Sequence, residues 1–166
     1  MKKMKIGVIS DTHSELHPQV FDFFEPCNEI WHAGDIGSVE VLQKLETFKP
    51  IRAVYGNIDN YDTRSKLQEY VFFGAGVMHV LMMHIGGSPP FYKSQANELI
   101  QQHKPDIFVC GHSHILKLMY DNKHKLLYIN PGSAGNYGDH KAITFLRFDI
   151  ENRRPINMEI FHEDRG

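Results

Sequence analysis

Residues 5–13 of the chain read KIGVISDTH, an apolar run that ends in Asp11 and His13. Such a run is typical of a buried strand, and a polar residue placed just past its end emerges at the rim of the sheet. Ligands of open α/β sheets bind at the carboxyl ends of the strands. This stretch therefore predicts a strand of a buried sheet with a polar site at its edge.

The same arrangement recurs along most of the chain. Apolar runs that give way to a turn with Gly, Ser or Asn occur in EIWHAGD (29–35), IRAVYGNID (51–59), HVLMMHIGG (79–87), DIFVCGHSH (106–114) and LLYINPGS (126–133). Because each run places its polar residues at a strand end, we expect these residues to converge on one polar basin.

Length and composition limit the class of protein. The chain has 166 residues, of which 42% are hydrophobic, and we predict that residues 1–166 form one domain with a single core. A net charge of −2 and a pI near 6.6 argue against a dedicated nucleic-acid-binding or membrane-surface protein. No apolar run approaches the roughly 18 residues of a membrane span. Two cysteines are too few for a disulfide framework, so we expect a cytoplasmic protein.

The first half of the chain alternates strands with helical patterns. Residues 17–25 and 38–48 have apolar side chains at helical spacing, and Ser38 is the expected N-cap of the second helix. This βαβαβ order predicts parallel strands joined by right-handed crossovers.

The second half is of a different type. Residues 69–84 predict a hairpin, and Tyr92 to His103 predict a helix after the Pro89–Pro90 break. The last fifty residues alternate apolar and polar side chains and predict an antiparallel meander. The sequence as a whole predicts a mixed α/β domain.

Seven residues at the strand ends are candidate metal ligands: Asp11, His13, Asp35, Asn57, His84, His112 and His114. They offer oxygen and imidazole donors and no thiol, which disfavours structural zinc and favours manganese, iron or zinc held for catalysis. Seven ligands, with one carboxylate able to bridge, suit two ions about 3.5–4 Å apart. Each motif alone is a common loop sequence, so the argument depends on their order and placement.

The ordered set D-x-H, G-D, G-N-x-D, H-x-G and G-H-x-H resembles the calcineurin-like metallophosphoesterase superfamily, in particular its small single-domain phosphodiesterase branch. The resemblance extends from Lys5 to about Ile150. It implies an α/β (α+β mixed) fold in which two packed mixed β-sheets are flanked by helices, a four-layer αββα sandwich. It also implies two divalent metal ions, most often Mn²⁺, with Fe, Zn or Ni as alternatives.

Carried over position by position, the resemblance assigns a role to each candidate ligand. Asp11, His13 and His114 would hold one ion. Asn57, His84 and His112 would hold the other, and Asp35 would bridge the two. Asn57 and His84 would also contact the phosphoryl oxygens, and Asp59 would orient its neighbours, although an Asp that caps a turn explains Asp59 equally well.

The sequence departs from the wider superfamily at one place and from its small phosphodiesterase branch at another. The common block G-N-H-[DE] carries a histidine that protonates the leaving group or stabilises the transition state, whereas Ile58 stands at that position here. The Pro-Arg pair that usually follows N-P-G-S in this branch is also missing, because residues 134–137 read AGNY. Both departures leave open which groups contact the substrate.

These observations predict a phosphodiesterase that hydrolyses small phosphodiesters with a hydroxide activated by two metal ions. Without a histidine at position 58, diesters with aryl leaving groups should react best. The alternatives are a non-catalytic interaction scaffold of the same fold, or a phosphomonoesterase or nuclease with the same metal centre. A homo-oligomer formed through the hairpin near Phe72–Met83 also stays open.

Several other residues are ambiguous. His32 could support Asp35 or simply pack within its strand, and Cys110 reads best as a small buried hydrophobe. Phe91, Tyr92 and Tyr137 are candidate contacts for a base or an aryl group, although surface aromatic residues are common. Five histidines in polar contexts, among them His140, are expected at the surface.

Overall fold

The computed structural model describes residues 3–166. Within them the chain forms four helices and twelve strands. The helices are α1 (Val20–Phe24), α2 (Val39–Phe48), α3 (Tyr61–Arg64) and α4 (Ser94–His103). The strands are β1 (Met4–Ile9), β2 (Glu29–His32), β3 (Ile51–Ala53), β4 (Tyr70–Ala75), β5 (Met78–Met83), β6 (Gly87–Ser88), β7 (Phe91–Tyr92), β8 (Ile107–Val109), β9 (Leu116–Asp121), β10 (Leu126–Pro131), β11 (Ala142–Glu151) and β12 (Arg154–Asp164).

The first sheet has the strand order β12-β11-β1-β2-β3. Strands β1, β2 and β3 are parallel, as the βαβαβ pattern predicts, and the helices α1 and α2 lie in the two connections. Ser38 caps α2, because its hydroxyl accepts a hydrogen bond from the Val41 amide at 3.4 Å. Strand β11 then adds antiparallel to β1, and β12 adds to β11.

The second sheet has the strand order β4-β5-β8-β10-β9. Strands β4 and β5 form the predicted hairpin. Strands β5, β8 and β10 are parallel, and β9 adds antiparallel to β10. Helix α4 lies in the connection from β5 to β8.

Three groups of buried apolar residues hold the layers together. One lies between the two sheets and includes Trp31 and Phe148 from the first sheet and Met82 from the second. Another joins the first sheet to α1 and α2, and a third joins the second sheet to α4. The order of layers is therefore helix, sheet, sheet, helix, which confirms the four-layer αββα sandwich of mixed sheets.

Two predicted elements differ from the structure. The last fifty residues do not form one meander, since β9 and β10 belong to the second sheet whereas β11 and β12 belong to the first. Alternation of apolar and polar residues indicates that a strand has one buried face but not which sheet it joins. Helix α4 begins at Ser94, not at Tyr92, because Phe91 and Tyr92 pair with Gly87 and Ser88 in a short ribbon. In the described part of the chain, no helix is long and apolar enough to span a membrane.

Candidate metal centre

The predicted strand ends do meet at one place. Asp11 follows β1, Asp35 follows β2, Asn57 lies in the loop after β3, His84 follows β5, and His112 and His114 follow β8. All of these strands run parallel within their sheets, so their carboxyl ends share a rim, and the two packed sheets bring both rims together.

The backbone is unusual at this rim. A positive φ is adopted by five of the candidate ligands, namely Asp11 (56°), His13 (47°), Asp35 (55°), His112 (72°) and His114 (62°). The left-handed conformation is uncommon for residues other than glycine, costs energy, and concentrates at functional sites. Backbone hydrogen bonds hold two of these loops together: the Asp11 amide donates to the Gly34 carbonyl at 2.9 Å, and the His13 amide donates to the Asp35 carbonyl at 3.1 Å.

Asp11, His13 and His114 form one group of potential ligands, with one donor atom from each residue within 4.8 Å of the others. Asp11 Oδ1 lies 3.3 Å from His114 Nε2 and 3.8 Å from His13 Nε2. The Asp11 side chain is fully buried, and its other oxygen accepts hydrogen bonds from Ser10 Oγ at 2.7 Å and from the His112 amide at 3.1 Å. The backbone and Ser10 thus fix Asp11 with Oδ1 toward the two imidazoles.

Asp35, His84 and His112 form a second group with the same spacing. Asp35 Oδ2 lies 3.1 Å from His84 Nε2 and also 3.6 Å from His13 Nε2 of the first group. The other Asp35 oxygen accepts a hydrogen bond from the Ile58 amide at 3.0 Å. Asp35 therefore stands between the two groups, where a bridging ligand would have to be.

Asn57 joins the second group through His112, since its Oδ1 lies 3.1 Å from His112 Nδ1. Nδ1 can donate a proton to this oxygen, or both atoms can direct lone pairs toward a common cation. The structure thus brings all seven candidate ligands together.

Buried ligand atoms that lack a hydrogen-bond partner show whether these residues suit a cation. Asp11 Oδ1, His13 Nε2 and His84 Nε2 are buried and have no hydrogen-bond partner of acceptable geometry. His84 Nδ1 donates to the Ala33 carbonyl at 2.8 Å, so in the neutral imidazole Nε2 presents a lone pair to Asp35 Oδ2. Buried polar atoms without a partner are costly, and lone pairs this close need a proton or a metal ion between them. The residues fit a bound divalent cation.

The electrostatics agree with this interpretation. Burial alone would raise the pKa of the Asp11 carboxyl, but the imidazoles of His114, His13 and His84 outweigh it and hold that pKa well below its usual range. The pKa of Asp35 is lowered in the same way by His84. Burial would lower the pKa of His84, yet the two carboxylates raise it. The same negative charge attracts a metal cation.

Asp59 lies next to these groups, but both of its carboxylate oxygens accept hydrogen bonds from backbone amides. Its Oδ1 accepts a hydrogen bond from the Gly37 amide at 2.8 Å, and its Oδ2 accepts from Ile36 at 3.2 Å and Gly56 at 2.8 Å. The carboxylate joins the loop after β2 to the loop after β3, which carry Asp35 and Asn57. Asp59 is thus placed to orient neighbouring loops.

Glycines allow the loops to approach closely. A Cβ at Gly56 would collide with Asp35 Oδ1 and the Asp35 amide, and one at Gly111 would lie 2.7 Å from Asp11 Oδ2. Real Cβ atoms are not found so close to such groups, so the glycines of G-N-x-D and G-H-x-H permit the convergence of the carboxylates.

His32 both packs within its strand and supports the segment that carries Asp35. It is fully buried in β2, and burial lowers its pKa to about 4, so the ring is neutral. Its Nδ1 accepts a hydrogen bond from the Gly34 amide at 3.1 Å, which leaves Nε2–H to donate to Thr12 Oγ1 at 3.0 Å. Thr12 in turn donates to the Ile36 carbonyl at 2.8 Å. His32 thereby supports the segments that carry Asp11, His13 and Asp35.

Two residues of the loop after β10 contact the first group. His140 Nε2 donates to the Gly135 carbonyl at 2.7 Å, which leaves His140 Nδ1 as an acceptor. His140 Nδ1 therefore accepts a hydrogen bond from His114 Nδ1, 3.2 Å away. Burial lowers the pKa of His140, which keeps its ring neutral. The expectation that His140 is an ordinary surface residue is therefore wrong. No sequence motif marks it, because its contact with His114 depends on the path of a loop.

Tyr137, in the same loop, stacks on the His13 ring with centroids 4.9 Å apart, although it is 69% exposed. Arg165 anchors this loop by donating to the carbonyls of Asn136, Gly138 and His140. The loop that follows N-P-G-S therefore lies against two ligands of the first group.

Comparison with known sequences gives a consistent result. The model of the calcineurin-like phosphoesterase superfamily domain matches residues 4–153. A probable metallophosphoesterase of Methanothermobacter thermautotrophicus is 35% identical over 141 residues, which cover 78% of this chain and 77% of the relative. A phosphodiesterase of Methanocaldococcus jannaschii is 28% identical over 151 residues, which cover 81% of this chain and 86% of that protein.

Solved structures share the fold at lower identity. An archaeal phosphodiesterase superimposes with a TM-score of 0.74 at 22% identity, covering 95% of this chain and 100% of the other. Wild-type Vps29 of Entamoeba histolytica, solved with Zn²⁺, superimposes with a TM-score of 0.73 at 22% identity, covering 97% and 99%. At this identity the likeness concerns the fold alone.

Proposed function

The chain belongs to the calcineurin-like phosphoesterase superfamily, and on this premise we propose that it is a metal-dependent phosphodiesterase for small phosphodiesters. One observation carries the proposal. Two groups of oxygen and nitrogen ligand atoms lie side by side, Asp35 of the second group faces the first, and three buried ligand atoms have no hydrogen-bond partner. Such a donor set suits two ions, whereas a single ion would leave part of it unsatisfied.

We assign the ligands according to these groups. Asp11, His13 and His114 would hold one ion, and His84, His112 and Asn57 would hold the other. Asp35 would contact both ions, a role supported by the position of its Oδ2 between His84 and His13. Oxygen and imidazole donors suit Mn²⁺, Fe, Zn²⁺ and Ni²⁺, and we propose Mn²⁺ first.

Two bound divalent cations would supply Lewis acidity toward the phosphoryl oxygens and a water molecule of lowered pKa. The chain's own residues contribute orientation and charge. The Asp11 and Asp35 carboxylates would neutralise part of the charge of cations bound at the rim. Asn57 lines the same cavity as His84, and its Nδ2 amide is placed to donate to a phosphoryl oxygen. His84 cannot take this part while its Nδ1 donates to Ala33 and its Nε2 serves as a ligand.

Ile58 limits the chemistry of the leaving group. The residue is 43% exposed and its backbone amide donates to Asp35 Oδ1, and an alkyl side chain can neither donate a proton nor stabilise an oxyanion. An alkoxide leaving group would then depart without protonation from this position, whereas an aryl oxide needs no such help. We therefore propose that aryl diesters react faster than alkyl diesters.

The remaining parts of the proposal concern partners and location. We propose a small phosphodiester as substrate, no dedicated nucleic-acid surface, and one domain over the whole chain. A cytoplasmic location is supported by Cys27 and Cys110, which are buried and unpaired.

A non-catalytic scaffold is the strongest competing function, because Vps29 shares the fold. Metal binding alone does not separate the two, since that Vps29 was itself solved with Zn²⁺. Turnover does. A phosphomonoesterase or nuclease with the same centre differs from the proposal only in its preferred substrate.

The experiment is hydrolysis of bis(4-nitrophenyl) phosphate, 4-nitrophenyl phosphate and single-stranded DNA by Mn²⁺-loaded protein, with Asp35→Ala as the inactive reference. We expect the diester to be cleaved fastest, and Asp35→Ala to lose both turnover and metal. Absence of turnover on every substrate in a protein that retains metal would favour the scaffold. Activity in Asp35→Ala would show that the bridging ligand is wrongly assigned.

A further inference from the structure

Two cavities flank the candidate metal centre. One, of about 520 Å³, is lined by Asn57 and His84 of the centre. The other, of about 440 Å³, is lined by His112. Lys93 and Ile85 border both cavities. A phosphodiester has two substituents on phosphorus, and a centre with a cavity on each side offers a separate space to each.

The two cavities differ in charge. The larger contains Glu69 and Arg64, but the Arg64 guanidinium already donates to the carbonyls of Asp59, Gly56 and Asn57 and lies over the Tyr55 ring. The guanidinium is thus oriented toward the backbone, and the same cavity contains the Glu69 carboxylate, which offsets positive charge there. The smaller cavity, which we call the lysine cavity, is lined by Lys93 and Lys117 and, among the described residues, by no Asp or Glu.

Lys117 is held in place by neutral groups. Its ammonium donates to Ser88 Oγ at 3.2 Å and to the Pro89 carbonyl at 3.5 Å, and the residue is half-buried. Neither contact carries a negative charge. Lys93 is exposed and is part of the same lining. Two ammonium groups without carboxylates in the lining match the charge of a phosphate dianion.

The lysine cavity also has an apolar part. Phe91 is 84% exposed and Ile115 is 65% exposed, and both line it. Large apolar side chains this exposed at the edge of a cavity suit a flat ring, such as a nucleobase, which can stack on Phe91.

We propose that the lysine cavity binds one arm of a phosphodiester, and that this arm is a nucleotide with a phosphate group of its own. A 5′-phosphorylated dinucleotide has this chemistry: its linking phosphate would lie at the metal centre and its terminal phosphate at Lys93 and Lys117. The assignment rests on the proposed function, since it takes the metal centre as the place of the scissile phosphate.

The test separates binding from turnover. The probes are adenylyl-adenosine dinucleotides with and without a 5′-phosphate, in which methylene groups replace both bridging oxygens of the linking phosphate so that this linkage cannot be hydrolysed. Their dissociation constants are measured by calorimetry with Mn²⁺-loaded protein. We expect the 5′-phosphate to strengthen binding about tenfold or more, as a charge-assisted contact does.

Lys117→Gln and Lys93→Gln should each reduce this advantage, and the double variant should abolish it. Phe91→Ala should weaken both probes alike, because it removes stacking and no charge. Lys44→Gln is the matched control, because Lys44 is exposed on α2, on the outside of the other sheet, and should leave the advantage unchanged.

Equal binding of the two probes would overturn the proposal, and so would an advantage that survives the double lysine variant. Hydrolysis of bis(4-nitrophenyl) phosphate by the same preparation reports separately on the proposed function. A preparation that hydrolyses this diester but binds both probes equally refutes the lysine cavity alone.

Discussion

His114 and His140 face each other through their Nδ1 atoms, 3.2 Å apart, and the second ring is anchored by the Gly135 carbonyl. Because His140 Nε2 must donate to that carbonyl, His140 Nδ1 is an acceptor and His114 Nδ1 carries the proton. The pair therefore fixes the tautomer of His114 in which the Nε2 lone pair points toward Asp11. Most histidine ligands donate to a carboxylate or a backbone carbonyl, whereas here a second neutral histidine takes that part.

His140→Ala should weaken metal binding at the group formed by Asp11, His13 and His114. Loss of such an outer partner typically lowers affinity about 10–100-fold, and we expect a loss in this range for one of two bound ions. Titration with Mn²⁺ followed by metal analysis measures both affinities. His124→Ala, which removes a histidine bonded to Asp121, is the control. Unchanged affinity at both sites in His140→Ala would mean that His114 needs no fixed tautomer.

Asp59→Ala should destabilise the protein, because it leaves the amides of Ile36, Gly37 and Gly56 without their acceptor. Unsatisfied buried groups of this kind cost about 3 kcal/mol together, which for a domain of this size lowers Tm by roughly 6–12 °C. Asp59→Asn keeps one acceptor oxygen and should lose less. Thermal unfolding measures whether Asp59→Ala lowers Tm more than Asp59→Asn does, and the exposed Asp62→Ala is the control. A Tm of Asp59→Ala equal to that of the control would contradict the role of Asp59.

The acid side of the stability curve should depend on Asp149. This carboxylate is almost fully buried, lies 3.1 Å from Lys5 Nζ and accepts a hydrogen bond from Asn157 Nδ2 at 2.8 Å. Burial would raise its pKa, but these two partners lower it. A carboxyl whose pKa is lower in the folded state stabilises the fold above its unfolded pKa of about 3.9. That contribution is lost as the pH falls through the folded-state pKa.

Asp149→Asn should therefore flatten the fall in unfolding free energy below about pH 4. Urea unfolding at a series of pH values measures the slope, and the exposed Glu98→Gln provides the reference. Parallel curves for Asp149→Asn and the wild type would refute the linkage.

Ile58→His should broaden the range of leaving groups. The residue is exposed and its backbone amide donates to Asp35 Oδ1, so we expect an imidazole at this position to lie near the candidate ligands. General acid catalysis typically contributes about 10²–10⁴-fold, and we expect a gain at the low end of this range for alkyl diesters. Aryl diesters should change little. The ratio of kcat/KM for the two substrate types is the measurement, and Ile58→Gln separates proton donation from mere polarity. An equal gain in both variants would argue against acid catalysis.

Local patterns were sufficient to predict much of the fold. Strands β1, β2 and β3 are short apolar runs separated by amphipathic helices, and this pattern specifies parallel pairing almost by itself. The N-cap at Ser38 and the hairpin of β4 and β5 are likewise local. The sheet assignment of β10 and β11 was not predictable in this way, because the choice depends on which edge is free once the other strands have paired.

In the candidate site, too, the residues placed by local sequence were predictable, and the residues placed by distant contacts were not. Asp11, Asp35 and His84 follow directly from strand ends, so their convergence was predictable from the sequence. His140 and Tyr137 reach the site from a loop whose course is fixed by Arg165, far away in sequence. The acceptor role of His32 depends on the Gly34 amide, which the pattern of a buried strand does not reveal.

The central claim is that two cations lie on either side of Asp35. Crystals grown with Mn²⁺ and measured at the manganese absorption edge test it most directly. We predict two anomalous peaks about 3.5–4 Å apart, one beside Asp11, His13 and His114 and the other beside His84 and His112, with Asp35 between them. A single peak, or none at these side chains in excess Mn²⁺, would contradict the account.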